Sequence, residues 1–213
     1  MKLESPGIII ELRPFAERDL VGRVFTRDFG VMCGIFKAGQ IAKTKPLSGQ
    51  FGRAAWNARL DTQLGSFHFE NEKNLLTSVF GAHEKLKYAN ACFALLSALL
   101  PERESYPNLY AGTLRMLADI SAESYLEWEL LLLSELGYGL ALSRCGGCGT
   151  ADGLEYISPK TGRAICGNCG LDYKDRLFAN PINIVATGYF LEQIAPLPVE
   201  RQIILTQIQP IGG

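Results

Sequence analysis

The sequence predicts an α+β protein in which a small β-barrel precedes a helical region that carries a four-cysteine metal site. Three observations support this prediction. Short, apolar, β-branched runs separated by turn residues fill roughly the first 75 of the 213 residues. From about residue 74 onward, apolar residues recur at the three- and four-residue spacing of helices. Four of the six cysteines then form two Cys-x-x-Cys pairs.

The barrel prediction rests on strand-like segments in the first third of the chain. They cover 7–13, ended by Pro14, then 20–26, 31–37 and a return to strand character over 57–70. The four residues 27–30 join two of them as a hairpin turn, and 38–53 is predicted to be a loop. About five short strands fit a small closed barrel, and the OB-fold has that strand count. Periodicity alone leaves other small barrels open.

The helix predictions come from apolar stripes. Leu75, Leu76, Val79 and Phe80 open the first, which Pro101 stops. Further helices are predicted over 109–120, 124–136, 181–193 and 199–207. In the second of these, Leu126, Leu130 and Leu133 are predicted to form the stripe, with Gly137 at the helix end. We interpret these stripes as packed core.

The cysteine pairs are Cys145/Cys148 and Cys166/Cys169, with seventeen residues between the pairs. This is the spacing of a four-cysteine zinc site, in which two residues between thiolates let one turn present both to one ion. Four protein ligands leave no open position, so the predicted Zn²⁺, one per chain, is structural and not catalytic. Disulfides, which need an oxidising compartment, and redox thiols remain alternatives. The other two cysteines, Cys33 and Cys92, are predicted to be reduced core residues.

Charge is unevenly distributed along the chain. Residues 1–60 hold ten Lys/Arg against five Asp/Glu, whereas 61–213 hold eleven against seventeen. A basic N-terminal third indicates a localised anion-binding face, although chance asymmetry of a solvated surface would look the same.

No pattern of an enzyme active site is present. The sequence lacks a glycine-rich phosphate loop, a nucleophile elbow and paired carboxylates in a known frame, and His68 and His83 are isolated. We therefore predict a protein that is not an enzyme. No apolar run is long enough to cross a bilayer and nothing at the N-terminus resembles a signal peptide, so we expect no membrane partner and a cytoplasmic location.

Several short segments resemble the bacterial RecO family. They lie between about residues 7 and 178: Arg13-Pro-Phe-Ala-Glu17, Phe25-Thr-Arg-Asp-Phe-Gly30, the approach from Glu135 to Leu142, Tyr156 to Arg163, and Tyr173 to Leu177. The resemblance implies an N-terminal OB-fold at 1–78 and a helical domain at 79–213, with a zinc module at about 143–178. It also implies a DNA repair and recombination mediator that binds single- and double-stranded DNA and anneals complementary strands.

The same resemblance implies two protein partners, RecR and the acidic C-terminal tail of single-strand-binding protein, and a role in loading recombinase onto DNA. One departure is visible. RecO relatives carry a denser basic run after the third strand, whereas this chain has only Lys37, Lys43 and Lys45 there.

For the DNA-binding face we predict seven cations on or around the barrel: Arg13, Arg23, Arg27, Lys37, Lys43, Lys45 and Arg53. Phe25 alternates with Arg23, and we expect it to lie in the barrel core, with stacking on a base as the alternative. Two other functions stay open: a zinc-ribbon transcription or RNA-binding protein, and an unrecognised zinc-stabilised enzyme.

Overall fold

The computed structural model describes residues 1–208 apart from positions 42, 44, 61, 62 and 80. The first five strands close into a barrel with the order β1-β2-β3-β5-β4. Their bounds are β1 (Lys2–Phe15), β2 (Asp19–Thr26), β3 (Gly30–Phe36), β4 (Gln50–Asn57) and β5 (Gly65–Asn74). Neighbouring strands are antiparallel except β3 and β5, which are parallel. This five-stranded closed arrangement is the OB-fold, as the sequence predicts.

Strand β1 closes the barrel because it pairs with two neighbours in succession. Its first half pairs with β4, from Lys2 opposite Asn57 to Ile8 opposite Phe51, and its second half pairs with β2. A bulge between Ile9 and Glu11 bends the strand between these partners.

The barrel interior is filled by eight buried apolar side chains: Ile9, Val24, Met32, Phe36, Ala54, Trp56, Phe67 and Phe69. Trp56 is the largest of them, and its indole N–H donates to the Cys33 carbonyl at 2.9 Å. Position 65 must be glycine for this ring to fit, because a Cβ there would lie 2.2 Å from Trp56. Small and large inward residues thus alternate around the interior.

Three local predictions in this region are wrong. Residues 38–53 are not all loop, since they contain a helical turn, α1 (Ala38–Ile41), and the start of β4. The chain from 57 to 70 is not one strand but the end of β4, a connection, and the start of β5. The inward positions of β4 include Gly52 and Ala54, which give little apolar signal in sequence. Strand β1 also continues through Pro14 to Phe15.

Helices follow the barrel. Their bounds are α2 (His83–Leu99), α3 (Pro107–Ala118), α4 (Ala122–Glu135), α5 (Gly167–Gly170), α6 (Ile184–Glu192) and α7 (Val199–Ile208), with short 3-10 helices at Thr77–Val79 and Leu171–Arg176. The first long helix begins at His83, so Leu75 and Leu76 precede it, contrary to prediction. Phe80, also assigned to that helix, lies outside the described residues.

The stripe predicted for α4 is displaced around the helix. Its buried residues are Tyr125, Trp128, Glu129, Leu132 and Leu133, whereas Leu126 and Leu130 are only partly buried. The run of leucines at 130–133 covers more than one face, so composition alone did not select the buried side.

The metal-site segment contains a small sheet, which no pattern in the sequence predicted. Its strands are β6 (Leu154–Ile157), β7 (Ala164–Cys166) and β8 (Phe178–Ala179), in the order β7-β6-β8. Strand β6 pairs antiparallel with both neighbours. The two cysteine pairs therefore flank a β-hairpin, which brings them to one end of the sheet.

The contacts between its residues divide the chain into two compact units. One comprises Met1–Ser121 and Pro198–Ile204, and the other comprises Ala122–Leu197 and the described residues from Leu205 to 208. Helices α2 and α3 thus belong to the same compact unit as the barrel. The division into domains at 1–78 and 79–213 stays a prediction. None of the helices in the described ranges is long and apolar enough to span a bilayer.

Candidate metal centre and nucleic-acid interface

The four cysteines of the two Cys-x-x-Cys pairs meet in space. The sulfur atoms of Cys145, Cys148, Cys166 and Cys169 all lie within 4.8 Å of one another, and those of Cys148 and Cys166 are 3.7 Å apart. A zinc tetrahedron with bonds of about 2.3 Å has sulfur–sulfur edges of about 3.8 Å. All six cysteines of the chain are free thiols, so the four sulfurs are available as ligands. This set could hold a metal ion, and its size and donor atoms fit zinc.

Backbone N–H groups hold the sulfur of Cys145 at the common centre. The N–H groups of Gly147 and Cys166 point to the Cys145 sulfur at 3.4 and 3.3 Å. The turn is closed by Gly149, whose N–H donates to the Cys145 carbonyl at 2.9 Å and whose φ of +80° favours glycine. A Cβ at Gly147 would lie 3.1 Å from the Cys169 sulfur, so glycine there keeps space for the cluster.

The environment of the sulfurs shifts two pKa values in opposite directions. Backbone N–H groups of Cys148 and Cys166 stabilise the thiolate of Cys145 and lower its pKa to about 6. Hydrogen bonding to the sulfurs of Cys166, Cys148 and Cys145 raises the pKa of Cys169 to about 12. Four adjacent sulfurs cannot all be anionic without a cation between them. Such a charge pattern is what a divalent ion would neutralise.

The metal site is anchored to the rest of its own compact unit. Cys145, Ile165 and Cys166 form a buried cluster against which Leu154, Tyr156, Cys169 and Leu177 pack. The segment before the first cysteine is held as well, because Ala141 donates to the Gly162 carbonyl at 2.9 Å and accepts from Ala164 at 3.0 Å. The predicted ligands therefore lie on a supported hairpin and not on an isolated loop.

Five of the seven predicted DNA-binding cations are ion-paired. Arg27 Nε lies 2.9 Å from a carboxylate oxygen of Asp28, and Lys37 Nζ lies 3.0 Å from one of Asp19. Arg13 pairs with Glu11, Arg53 pairs with Glu4, and Arg23 lies 3.7 Å from both Glu11 and Glu102. Lys43 and Lys45 are exposed, and within the described ranges neither has a carboxylate partner.

The predicted cations are not all brought together. Lys37, Lys43 and Lys45 share the β3–β4 connection, and Lys37 reaches Asp19 at the β1–β2 turn. Arg53 lies on β4 opposite Pro6 of β1, and Arg27 in the β2–β3 turn lies near it, since the Arg27 N–H donates to the Pro6 carbonyl at 3.0 Å and both arginines line one pocket. The structure also exposes Phe15 and Arg18 at the β1–β2 turn, and neither is among the seven predicted cations. In the sequence, the turn residues next to Phe15 and Arg18 could have indicated that both side chains are exposed.

Comparison with known proteins identifies the family. The family model described as "Recombination protein O C terminal" matches residues 82–204. A DNA repair protein RecO of Jannaschia sp. (strain CCS1) is 35% identical to this chain over 98% of it and 97% of the relative. Another from Ruegeria sp. (strain TM1040) is 34% identical over 95% of this chain and 94% of the relative. A third, from Bartonella quintana, is 36% identical over 85% and 77%.

The chain belongs to the RecO family.

The RecO family match includes the metal site, since residues 82–204 contain all four cysteines. The barrel lies largely outside that match, but the Jannaschia relative covers it because the alignment takes in nearly all of this chain. Membership in this family of DNA repair proteins is therefore supported for both halves of the sequence.

In this RecO-family chain, outward side chains of β2 contact two of the chain's own helices. Arg23 and Phe25 flank the barrel-core residue Val24, so both point outward. The Phe25 ring is fully buried and lies edge-on to Tyr110 of α3, with centroids 5.4 Å apart. Burial raises the pKa of Tyr110 to about 12. Phe25 is thus buried, but contrary to the expectation of a barrel-core position it packs outside the barrel, and it is not accessible to a base.

Proposed function

We propose that this chain is a non-enzymatic mediator of DNA repair and recombination. It binds single- and double-stranded DNA, anneals complementary strands and, with RecR, helps load recombinase onto DNA coated with single-strand-binding protein. The observation that carries the proposal is similarity to DNA repair protein RecO of Jannaschia sp. over nearly the whole of both chains. A repair protein of this kind would act at the chromosome, in the cytoplasm.

Annealing requires no bond to be made or broken in DNA. Two complementary strands repel one another through their phosphates, and bound cations lower that repulsion. We propose that the seven predicted cations on and around the barrel supply this charge: Arg13, Arg23, Arg27, Lys37, Lys43, Lys45 and Arg53.

These seven cations should differ in their contribution. Lys43 and Lys45 are exposed, and within the part of the chain that is described neither has an ion pair that must break before it contacts a phosphate. The pairs of Arg13, Arg27, Lys37 and Arg53 lie at the surface, where ion pairs contribute little, so phosphate can replace the carboxylate. Arg23 is only 32% exposed in its side chain and is held by several groups, so it should contribute least.

A single Zn²⁺ is proposed at the four-cysteine cluster. Cys145, Cys148, Cys166 and Cys169 would supply all four ligands, which leaves no position for water or substrate. The ion would neutralise the thiolates and join the two ends of the β6–β7 hairpin. Its role would therefore be to hold this segment folded.

The proposal includes two protein partners, RecR and the C-terminal tail of single-strand-binding protein. That tail is acidic with an apolar end, so its site must combine an apolar groove with a cation. We expect the helical part of the chain to contribute the groove.

The proposal is tested by annealing two complementary oligonucleotides coated with single-strand-binding protein, at low and moderate salt, with zinc measured on the same sample. We expect annealing that falls as salt rises, together with one zinc per chain. Zinc without annealing or DNA binding would reject the proposed function while leaving the metal site in place. Recombinase loading is then measured with and without RecR, and no dependence on RecR would reject that partner.

A further inference from the structure

The turn between β1 and β2 presents an aromatic ring to solvent. Phe15 ends β1, opposite Asp19 of β2, and is 41% exposed. Among the described residues, no other aromatic ring is in contact with the Phe15 ring. The next residue, Ala16, has a φ of +53°, which is unusual for a residue with a side chain. Such strained backbone is frequent at binding sites.

Arg13 and Arg18 lie within three residues of Phe15 in the chain, in a turn that also carries the carboxylates of Glu17 and Asp19. Arg18 lies in the same turn, is exposed, and makes no ion pair with any carboxylate in the described ranges. Arg13, two residues before the ring, has a side chain that is 76% exposed. Lys37 reaches the turn through Asp19, whose other carboxylate oxygen accepts from the Ala38 N–H at 2.8 Å. The turn therefore adjoins the connection that also carries Lys43 and Lys45.

An exposed ring among cations fits a single-stranded nucleic acid better than a duplex. Unpaired bases can stack on an aromatic side chain while their phosphates meet Lys or Arg, whereas bases in a duplex are already stacked. OB-folds use the β1–β2 loop for such ligands, together with the face of strands 2 and 3. In this chain Arg23 on that face contacts Ser97 of α2 and Phe25 packs against Tyr110 of α3, whereas Phe15 and Arg18 in the β1–β2 turn are exposed.

We propose that Phe15 stacks on a base of single-stranded DNA and that Arg18 binds a neighbouring phosphate. The inference rests on the proposed DNA binding and assigns two contact residues outside the seven predicted cations. Together with Lys37, Lys43 and Lys45, they would form a path for one strand along this rim of the barrel.

The first test is the affinity of the full chain for a fluorescent oligo(dT), measured by anisotropy at constant salt. Phe15→Ala should bind about tenfold more weakly, and Arg18→Ala should bind more weakly with a smaller salt slope. Phe15→Leu, which keeps apolar surface but no π-face, should also lose affinity. Tyr138→Ala and Arg115→Ala, which remove an exposed ring and an exposed arginine elsewhere, should bind like the wild type.

A second readout reports stacking directly. Both native tryptophans, Trp56 and Trp128, are buried, so Phe15→Trp adds the exposed one. Its fluorescence should be quenched by oligo(dT) well beyond any change in the wild type, and less by a blunt duplex. Thermal unfolding of each variant should match the wild type, since the altered side chains are exposed.

The outcomes separate this inference from the proposed function. If the wild type binds oligo(dT) but Phe15→Ala and Arg18→Ala bind equally well, only the inference is overturned. Wild-type affinity in Phe15→Leu would overturn stacking. Loss of RecR binding in Phe15→Ala with DNA binding intact would also overturn stacking, and it would make the turn a protein contact. A wild-type chain that binds no DNA would overturn both proposals.

Discussion

Arg23 of β2 donates a hydrogen bond from Nη1 to the carbonyl oxygen of Ser97, 2.6 Å away in the last turn of α2. The same guanidinium lies near Glu11 and Glu102, and the Ser97 hydroxyl donates to Glu11. A cation at a helix C-terminus satisfies a carbonyl that has no partner in the helix and interacts favourably with the helix dipole. Arg23 therefore joins the barrel to α2.

This arrangement predicts that Arg23→Ala mainly reduces stability. Losing a charge-assisted hydrogen bond in a half-buried site should cost roughly 1–2 kcal/mol. In a chain of this size the unfolding midpoint should fall by about 2–8 °C. Chemical and thermal denaturation measure both quantities.

Arg13→Ala is the matched control for Arg23→Ala. Arg13 also pairs with Glu11, but its side chain is 76% exposed and contacts no helix carbonyl among the described residues. It should change stability by less than about 0.5 kcal/mol. Equal effects of the two variants would show that the contact with Ser97 contributes nothing.

Cys148→Ser should reduce zinc content from one ion per chain to nearly none and should destabilise the compact unit that contains the metal site. Serine is a poor ligand for zinc, and three remaining thiolates would leave the hairpin ends unjoined. A loss of about 3 kcal/mol would lower the unfolding midpoint by about 6–12 °C. Atomic emission and calorimetry on the same samples provide the measurement.

Cys33→Ser is the control for the metal prediction, because Cys33 lies on β3, is half-buried, and belongs to the other compact unit. It should retain one zinc. A full complement of zinc in Cys148→Ser would contradict the four-ligand assignment.

The ion pair between Asp19 and Lys37 predicts a dependence of stability on pH. Lys37 and the Ala38 N–H hold the pKa of Asp19 below its usual value in the folded chain. The contribution is therefore fully present above the ordinary aspartate pKa of about 3.9 and is lost as pH falls through the lower folded-state pKa. Asp19→Asn should be less stable than the wild type at pH 6, and the difference should shrink below about pH 4.

Glu17→Gln serves as the comparison for Asp19→Asn. Glu17 is exposed in the same turn and has no ion pair with any residue that the structure describes. Its stability relative to wild type should stay nearly constant across the same pH range. A constant difference for Asp19→Asn as well would mean that the contact with Lys37 does not affect folding.

Lys43→Ala and Lys45→Ala should each weaken DNA binding in a salt-dependent way. Removing one phosphate contact should lower the slope of log affinity against log salt by about 0.7 on single-stranded DNA and about 0.9 on a duplex. Titrations at four or more salt concentrations measure the slope.

Lys85→Ala, an exposed lysine near the start of α2, is the control for these two. Unchanged affinity and slope in the double variant Lys43→Ala/Lys45→Ala would remove the β3–β4 connection from the proposed DNA face.

Much of the fold follows from local patterns in the sequence. The turn at 27–30 and its two flanking strands were predictable, since Gly30 has a φ of +64° and the flanking residues are β-branched or apolar. The β4 strand was not, because its inward residues include Gly52 and Ala54. Ala54 faces an interior that Trp56 and the aromatic side chains of β5 occupy. A Cβ at Gly52 would lie 2.0 Å from the Glu70 carbonyl oxygen of β5, and both constraints can be seen only once the barrel is closed.

By itself, the sequence determined the four-cysteine cluster, the order of barrel and helices, and the basic character of the first third. Each of these depends on spacing or composition within short stretches. Only the tertiary structure decided which cations are already paired, because Glu4 and Arg53 meet across two strands that are distant in the chain. It also decided that Phe25 is covered by Tyr110 while Phe15 is exposed. Alternation along a strand specifies a face, but what packs against that face depends on residues far away in sequence.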